Sequence, residues 1–240
     1  PHVSLVMNLT KPTADKPALL TLGEVSTFLH EFGHGLHEIF SKCRFESLSG
    51  TNVFWDFVEL PSQFMENYAL EKDFLQSFAK HYKTGETIPD ELIQRVIDGK
   101  TFNAAYACMR QVSFCLLDMA YYTRQQPLED NIIRFEKRAW KRAVFFPQTL
   151  KTCMSVQFQH IMTGGYAAGY YCYKWAEVLD ADAFRSSKKK EYSAKRLPKA
   201  SATIYLKKET PCIHKYYTGV SANAGHQSKP FWKEMALQRP

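Results

Sequence analysis

Thr21-Leu22-Gly23-Glu24-Val25-Ser26-Thr27-Phe28-Leu29-His30-Glu31-Phe32-Gly33-His34-Gly35-Leu36-His37-Glu38-Ile39-Phe40 carries the strongest pattern in the sequence. Thr21 and Glu24 stand three apart, the spacing at which a threonine hydroxyl and a glutamate carboxylate reciprocally bond the backbone N–H groups of a helix start. Val25, Phe28, Leu29, Phe32, Leu36, Ile39 and Phe40 recur at helical spacing, so the stretch reads as an amphipathic helix. Within it lies His30-Glu31-Phe32-Gly33-His34. Two histidines four apart project from one helix face, one turn apart, which suits two imidazoles on one tetrahedral Zn²⁺. Glu31 lies about 100° round from His30, close enough to reach a water at such a metal without being a ligand. Chance placement of two satisfied histidines on an amphipathic helix accounts for the five letters equally well. The apolar surroundings weigh against chance, because partly buried polar groups need partners and a metal supplies one.

Working outward, His2 to Leu9 alternates, with Val3, Leu5, Met7 and Leu9 on one face, and predicts a half-buried strand. A loop follows through Pro17, and the polar stretch from Ser41 to Val53 predicts another. A second helix is expected from near Asp56 past Tyr68, with Pro61 close to its first turn, where a missing N–H is tolerated. It offers the third ligand that a zinc hydrolase needs beside an open position for water. Glu59, about 25 positions after His34, gives the gluzincin arrangement. Glu66, two turns further along the same face, is the rival; Glu59 is favoured because a ligand near a helix start is better fixed by the preceding loop. Further on, Leu92, Val96 and Ile97 predict a short helix ended by Gly99. Phe102 to Tyr122 predicts a long apolar helix buried on most sides, and Ile132 to Val144 an amphipathic helix, basic on its wet face. A glycine- and tyrosine-containing loop, Thr163 to Tyr173, precedes a helix through Phe184. The fold class is therefore mainly α (α+β), helices with a small sheet.

The chain has 240 residues and 27.7 kDa, 45% apolar and 23% charged, an ordinary globular composition. For the chain as a whole that excludes a disordered polymer, a collagen-like repeat and a coiled coil, and no apolar run reaches the ~18 residues of a membrane-spanning helix. The formal charge of +7 is unevenly placed. Up to Phe184 there are 18 Lys and Arg against 21 Asp and Glu; from Arg185 onward there are 13 against 3. A basic tail raises the alternative of a nucleic-acid or acidic-partner binder, but no aromatic-interleaved basic motif, zinc knuckle or helix-turn-helix supports it. The six cysteines are scattered without a Cys-x-x-Cys, the pattern of a reduced compartment, and a cytoplasmic location is expected. The chain opens at Pro1 within an apparent strand and reads as a piece of a longer protein.

Three stretches taken together carry a resemblance. They are His30 to His37, Trp55-Asp56-Phe57-Val58-Glu59-Leu60-Pro61-Ser62-Gln63, and His160-Ile161-Met162-Thr163-Gly164-Gly165-Tyr166-Ala167-Ala168-Gly169-Tyr170-Tyr171-Cys172-Tyr173-Lys174-Trp175. In this order they closely resemble the signatures of the thimet-oligopeptidase family of zinc peptidases. The resemblance implies a zincin-like helical catalytic domain, part of a larger two-lobed helical peptidase, and one Zn²⁺ per chain held by His30, His34 and Glu59. It also implies Glu31 as the catalytic carboxylate, with His160, Tyr166 and Tyr173 facing the substrate. The spacing of His160 and Tyr166, with Gly-Gly before the tyrosine, resembles the peptidyl-dipeptidase (dipeptidyl carboxypeptidase) branch, which releases dipeptides from a free C-terminus; an endo-acting oligopeptidase is the alternative. Short peptides are then the expected partners of a monomer, with neither nucleic acid nor membrane. The resemblance covers 1–184, expected as the catalytic domain without the family's N-terminal half. The segment 185–240 departs from the family's ending and reads as a divergent basic tail, aberrant or disordered, as an altered reading frame or a spliced-on segment would leave.

Overall fold

A computed structural model describes residues 2–146, 149 and 152–194, with side chains as far as Lys188. The chain divides into a unit ending at Ala181 and one beginning at Asp182. The first holds the site.

Helix α1 (Leu22–Phe40) starts where the capping box predicts. The Glu24 N–H donates to Thr21 Oγ1 at 3.2 Å, and the Thr21 N–H donates to Glu24 Oε2 at 2.7 Å. The same carboxylate accepts from the Thr10 N–H and hydroxyl at 2.5 and 2.6 Å, which ties the preceding loop to the helix start. The expected second helix arrives in pieces: α2 (Trp55–Val58), α3 (Leu60–Glu66) and a 3-10 turn, Asn67–Leu70. Pro61 sits in the first turn of α3, and Glu59 occupies the joint between α2 and α3.

Helix α4 (Lys72–Phe78) leads to α5 (Asp90–Phe102), which runs past Gly99 instead of stopping there. Nothing lies within 4 Å of a side chain placed at Gly99, so its cost is the roughly 1 kcal/mol of an exposed helical glycine, too little to end the helix. Helix α6 (Ala104–Tyr122) buries one face, Ser113, Phe114, Leu117 and Asp118, while its first turn stays exposed; the expectation of burial on most sides fails. Helix α7 (Ile132–Ala139) is capped by Asn131 and gives way to a 3-10 turn at Lys141–Ala143, short of Val144. A 3-10 turn at Ser155–Gln157 precedes α8 (Gln159–Met162); the glycine- and tyrosine-containing loop follows, and α9 (Cys172–Ala194) runs on past Phe184. The rest of the basic tail, 195–240, lies outside the described residues.

The expected strand at His2–Leu9, and the small sheet with it, are corrected: among the described residues the one pairing is an isolated antiparallel bridge, Lys80 with Thr87. The alternation is real but a helix answers it. A Cβ built on Gly35 of α1 would stand 3.2 Å from Leu5 Cδ2 and 3.7 Å from Val3 Cγ1, so those side chains lie on α1 while Val6 stays 88% exposed. A strand also needs a neighbour for its N–H and C=O groups, and no described segment offers one.

Two clusters hold the first unit together. One surrounds α6: Phe114, Leu117, Phe135, Trp140, Phe158, Ile161 and Tyr170 pack as a single apolar group. In the other, α1 packs against α3 through a helix crossing made possible by Gly33. A Cβ there would stand 2.5 Å from the Pro61 carbonyl oxygen and 2.6 Å from Ser62 Cα, distances backbone atoms do not tolerate. Gly33→Ala is therefore expected to destabilise the protein by about 1–3 kcal/mol, the usual cost of overpacking. Thermal melts check this, and an unchanged midpoint would show that the crossing has slack.

Candidate metal centre

Three side chains from two neighbouring segments meet beside that crossing. His30 and His34 come from successive turns of α1, with ring centroids 4.9 Å apart and planes at 83°. Glu59 comes from the joint between α2 and α3, where its side chain is 1% exposed. One carboxylate oxygen, Oε2, lies 3.3 Å from His30 Nε2 and 3.4 Å from His34 Nε2. One ligand atom from each of the three can be chosen so that all lie within 4.8 Å of one another. Two imidazoles and one carboxylate on a half-buried face form a donor set suited to zinc with a position left open. The residues present fit that ion.

Electrostatics point the same way. Burial disfavours the charged form of His30, but Glu59 and Glu66 outweigh it and raise its pKa to about 9. Burial likewise opposes the Glu59 carboxylate, and hydrogen bonds from His30, His34 and Tyr166 outweigh it and hold the group well below the usual carboxylate range. The pocket thus keeps a negative charge where a cation shared by all three groups would be stabilised.

The two acids that compete in the sequence separate cleanly. Glu66 Oε1 meets the other ring nitrogen of His30, Nδ1, at 2.7 Å, and its Oε2 accepts from the Ser26 hydroxyl at 3.1 Å. A carboxylate on the far nitrogen fixes the tautomer and orientation of a metal-binding histidine. Glu66 therefore stands behind His30, and Glu59 stands between the two imidazoles. The Glu31 side chain, half-buried on α1 next to His30, makes no hydrogen bond or ion pair among the described residues. His37 packs edge-on against Phe57, ring centroids 5.9 Å apart.

The third stretch reaches the same centre. The Tyr166 hydroxyl donates to Glu59 Oε1 at 2.5 Å. Its ring stacks on Tyr173, centroids 5.2 Å apart, and His160 lies 5.8 Å from Tyr166 and 6.1 Å from Tyr173. Burial, then Glu59 through its hydrogen bond to Tyr166 and its charge at Tyr173, push both phenols far above their ordinary pKa, so both hydroxyls stay protonated. Of the residues singled out in the sequence, His30, His34, Glu59 and Tyr166 converge through polar contacts, and Tyr173 and His160 join them through ring contacts.

Other residues here escape a reading by motif. Ser62 donates to the Glu59 carboxylate and to its backbone carbonyl, both at 2.9 Å. Gln63 donates to the Tyr173 carbonyl at 3.1 Å, tying α3 to the start of α9. Asp118, fully buried, accepts from the backbone N–H groups of Ala168 and Tyr170. A signal existed for Asp118: it is the one acid in the apolar run from Phe102 to Tyr122.

A probable cytosolic oligopeptidase A of Arabidopsis thaliana is 43% identical over 186 residues, covering 77% of this chain and 26% of the relative. Oligopeptidase A of Escherichia coli is 41% identical over 186 residues, 77% of this chain and 27% of its own. The dipeptidyl carboxypeptidase of E. coli is 39% identical over 187 residues, 77% of this chain and 28% of its own. The chain thus spans about a quarter of the length of the curated relatives it matches. Residues 1–207 match the family model described as Peptidase family M3, and the chain belongs to that family.

Proposed function

We propose that this chain carries the catalytic centre of a zinc metallopeptidase that hydrolyses short peptides, with one Zn²⁺ held by His30, His34 and Glu59. The observation that carries the reading is the buried Glu59 carboxylate, whose single oxygen lies 3.3 and 3.4 Å from two imidazole nitrogens. Zinc, when bound, supplies a Lewis acid that polarises the scissile carbonyl and brings the pKa of water towards neutrality. Glu31 then accepts the proton of the attacking water and passes it to the leaving amine. The Tyr173 phenol and the His160 imidazole donate to the oxyanion that develops on the substrate carbonyl, and the Tyr166 phenol joins them by exchanging its bond to Glu59 Oε1 for one to that oxygen. Ser62 and Glu66 keep Glu59 and His30 in their orientations throughout. The same reading takes the protein as a cytoplasmic monomer acting on peptides, with no nucleic-acid or membrane partner. It is supported by the free thiols of Cys43, Cys108, Cys115, Cys153 and Cys172; Cys212 lies outside the described residues. Among the described residues no helix is long and apolar enough to cross a membrane.

The finer reading is release of C-terminal dipeptides, and the spacing of His160 and Tyr166 supports it. Internal cleavage is the second reading, supported by the higher identity to relatives named oligopeptidase A, 43% and 41% against 39%. A peptide pair with free and amidated C-termini separates them. Chelation should abolish hydrolysis of the free peptide and zinc should restore it. On the dipeptide reading, amidation lowers kcat/KM by about tenfold or more, because donors arranged for a carboxylate are left buried and unpaired. Mass spectrometry of the products reads the outcome. Internal cleavage of both peptides at similar rates assigns the endo-acting mode and leaves the zinc mechanism in place.

A further inference from the structure

The loop that delivers Tyr166 has an unusual backbone. Gly165 has φ +88°, and Ala168, which carries a side chain, has φ +56°. Gly164 comes so close to helix α8 that a Cβ would stand 2.9 Å from His160 Cα. A non-glycine residue in the left-handed region is held there only where its surroundings over-determine it. Here they do. Asp118 Oδ1 accepts the Ala168 N–H at 2.9 Å, and Oδ2 accepts the Tyr170 N–H at 3.0 Å. The Gly169 N–H donates to the Tyr166 carbonyl at 2.8 Å, and the Tyr166 N–H donates to the His160 carbonyl at 3.0 Å.

Asp118 has no measurable exposure and no lysine or arginine partner among the described residues. A buried carboxylate is costly unless its lone pairs are used, and the two amide N–H groups use them. On the same face of α6, one turn earlier, Phe114 meets the Tyr170 ring edge-on, centroids 5.9 Å apart. Helix α6 therefore offers the loop an aromatic seat and a polar one side by side. Across the loop, Trp55 lies 3.5 Å from where a Gly165 Cβ would stand, with its ring centroid 4.5 Å from that of Tyr166.

We propose that Asp118 is a positioning residue for Tyr166: its buried carboxylate holds the left-handed turn at Ala168 and thereby aims the Tyr166 hydroxyl into the metal centre. The activity readouts rest on the peptidase reading above, whereas the clamp itself does not. Asp118→Asn keeps the size and one acceptor oxygen but turns an NH₂ towards the second N–H, so one of the two bonds is lost.

In the intact enzyme, Asp118→Asn should leave zinc content and affinity unchanged, speed hydrogen exchange at the Ala168 and Tyr170 amides, and lower kcat about 10–100-fold with little change in KM. Because the effect runs through Tyr166, adding Tyr166→Phe should cost nothing beyond the slower single variant. Adding Ala168→Gly to Asp118→Asn should recover several-fold of the lost rate, since glycine adopts the turn unaided. That double variant also serves if Asp118→Asn alone is too unstable to purify. Multiplicative losses in the Asp118→Asn/Tyr166→Phe pair, with nothing recovered by Ala168→Gly, would overturn the proposal in favour of simple packing. Unchanged exchange at the two amides would overturn it whatever the activity. An absence of hydrolysis by the unaltered protein, with the two amides protected, would instead count against the peptidase reading and leave the clamp standing.

Discussion

Glu31→Gln is expected to retain zinc at one per chain while lowering kcat by about 10²–10⁴-fold, the range that a positioned proton acceptor contributes. The amide matches the carboxylate in shape, so the half-buried position on α1 loses no packing. What disappears is the basic lone pair. The Glu31 side chain has no hydrogen bond or ion pair among the described residues, so the substitution leaves no partner stranded and disturbs neither His30 nor His34. That separates it from His30, His34, Glu59 and Tyr166, which are linked to one another by polar contacts that a substitution would break. Metal analysis beside steady-state kinetics checks the expectation. Peptidase activity within a few-fold of the unaltered enzyme would remove Glu31 from the mechanism. Loss of zinc in the same variant would show that its carboxylate supports the metal.

How much of this was legible beforehand divides by the range of the interaction. The start of α1 was readable because Thr21 and Glu24 cap each other through local bonds, and the histidine pair because helical geometry alone places i and i+4 together. Glu59 could be favoured over Glu66 from its place near a helix start, but its distinguishing feature is non-local. One oxygen faces two Nε2 atoms from another helix, and that depends on how closely α1 and α3 approach at Gly33. The strand at His2–Leu9 failed for the converse reason. Alternation marks a face that leans on a neighbour, and here Val3 and Leu5 lean on α1 while staying over a third exposed, whereas a strand requires a hydrogen-bonding neighbour that no local pattern reveals. Gly99 misled because an exposed helical glycine is only a weak stop. Asp118 was visible as a lone acid in an apolar run, yet its partners are backbone groups some fifty positions away, and backbone groups carry no sequence signal.

The two acids also give the second large effect. Glu66→Ala should weaken zinc binding by about 10–100-fold, the usual cost of removing a group that orients a metal-binding histidine. Glu59→Ala should exceed that range, because it removes one of the three ligands proposed above and the negative charge between the imidazoles. Part of the loss is indirect. The Ser62 hydroxyl keeps its bond to the Glu59 carbonyl, but the Tyr166 hydroxyl loses its acceptor at 2.5 Å and is left half-buried. Glu59→Gln controls for this, since the amide oxygen can still accept from Tyr166 while the charge is gone; zinc affinity should fall beyond the Glu66→Ala value in that variant too. Competition with a chelator of known affinity measures all three proteins on one scale, and circular dichroism of the metal-free forms confirms that α1 persists. Equal zinc retention by Glu59→Ala and Glu66→Ala would exchange the roles, making Glu66 the ligand and Glu59 the partner of Tyr166. The geometry argues against that exchange: of the two imidazoles Glu66 meets His30 alone, and on the nitrogen opposite the one that faces Glu59, so one ion could not be shared among all three.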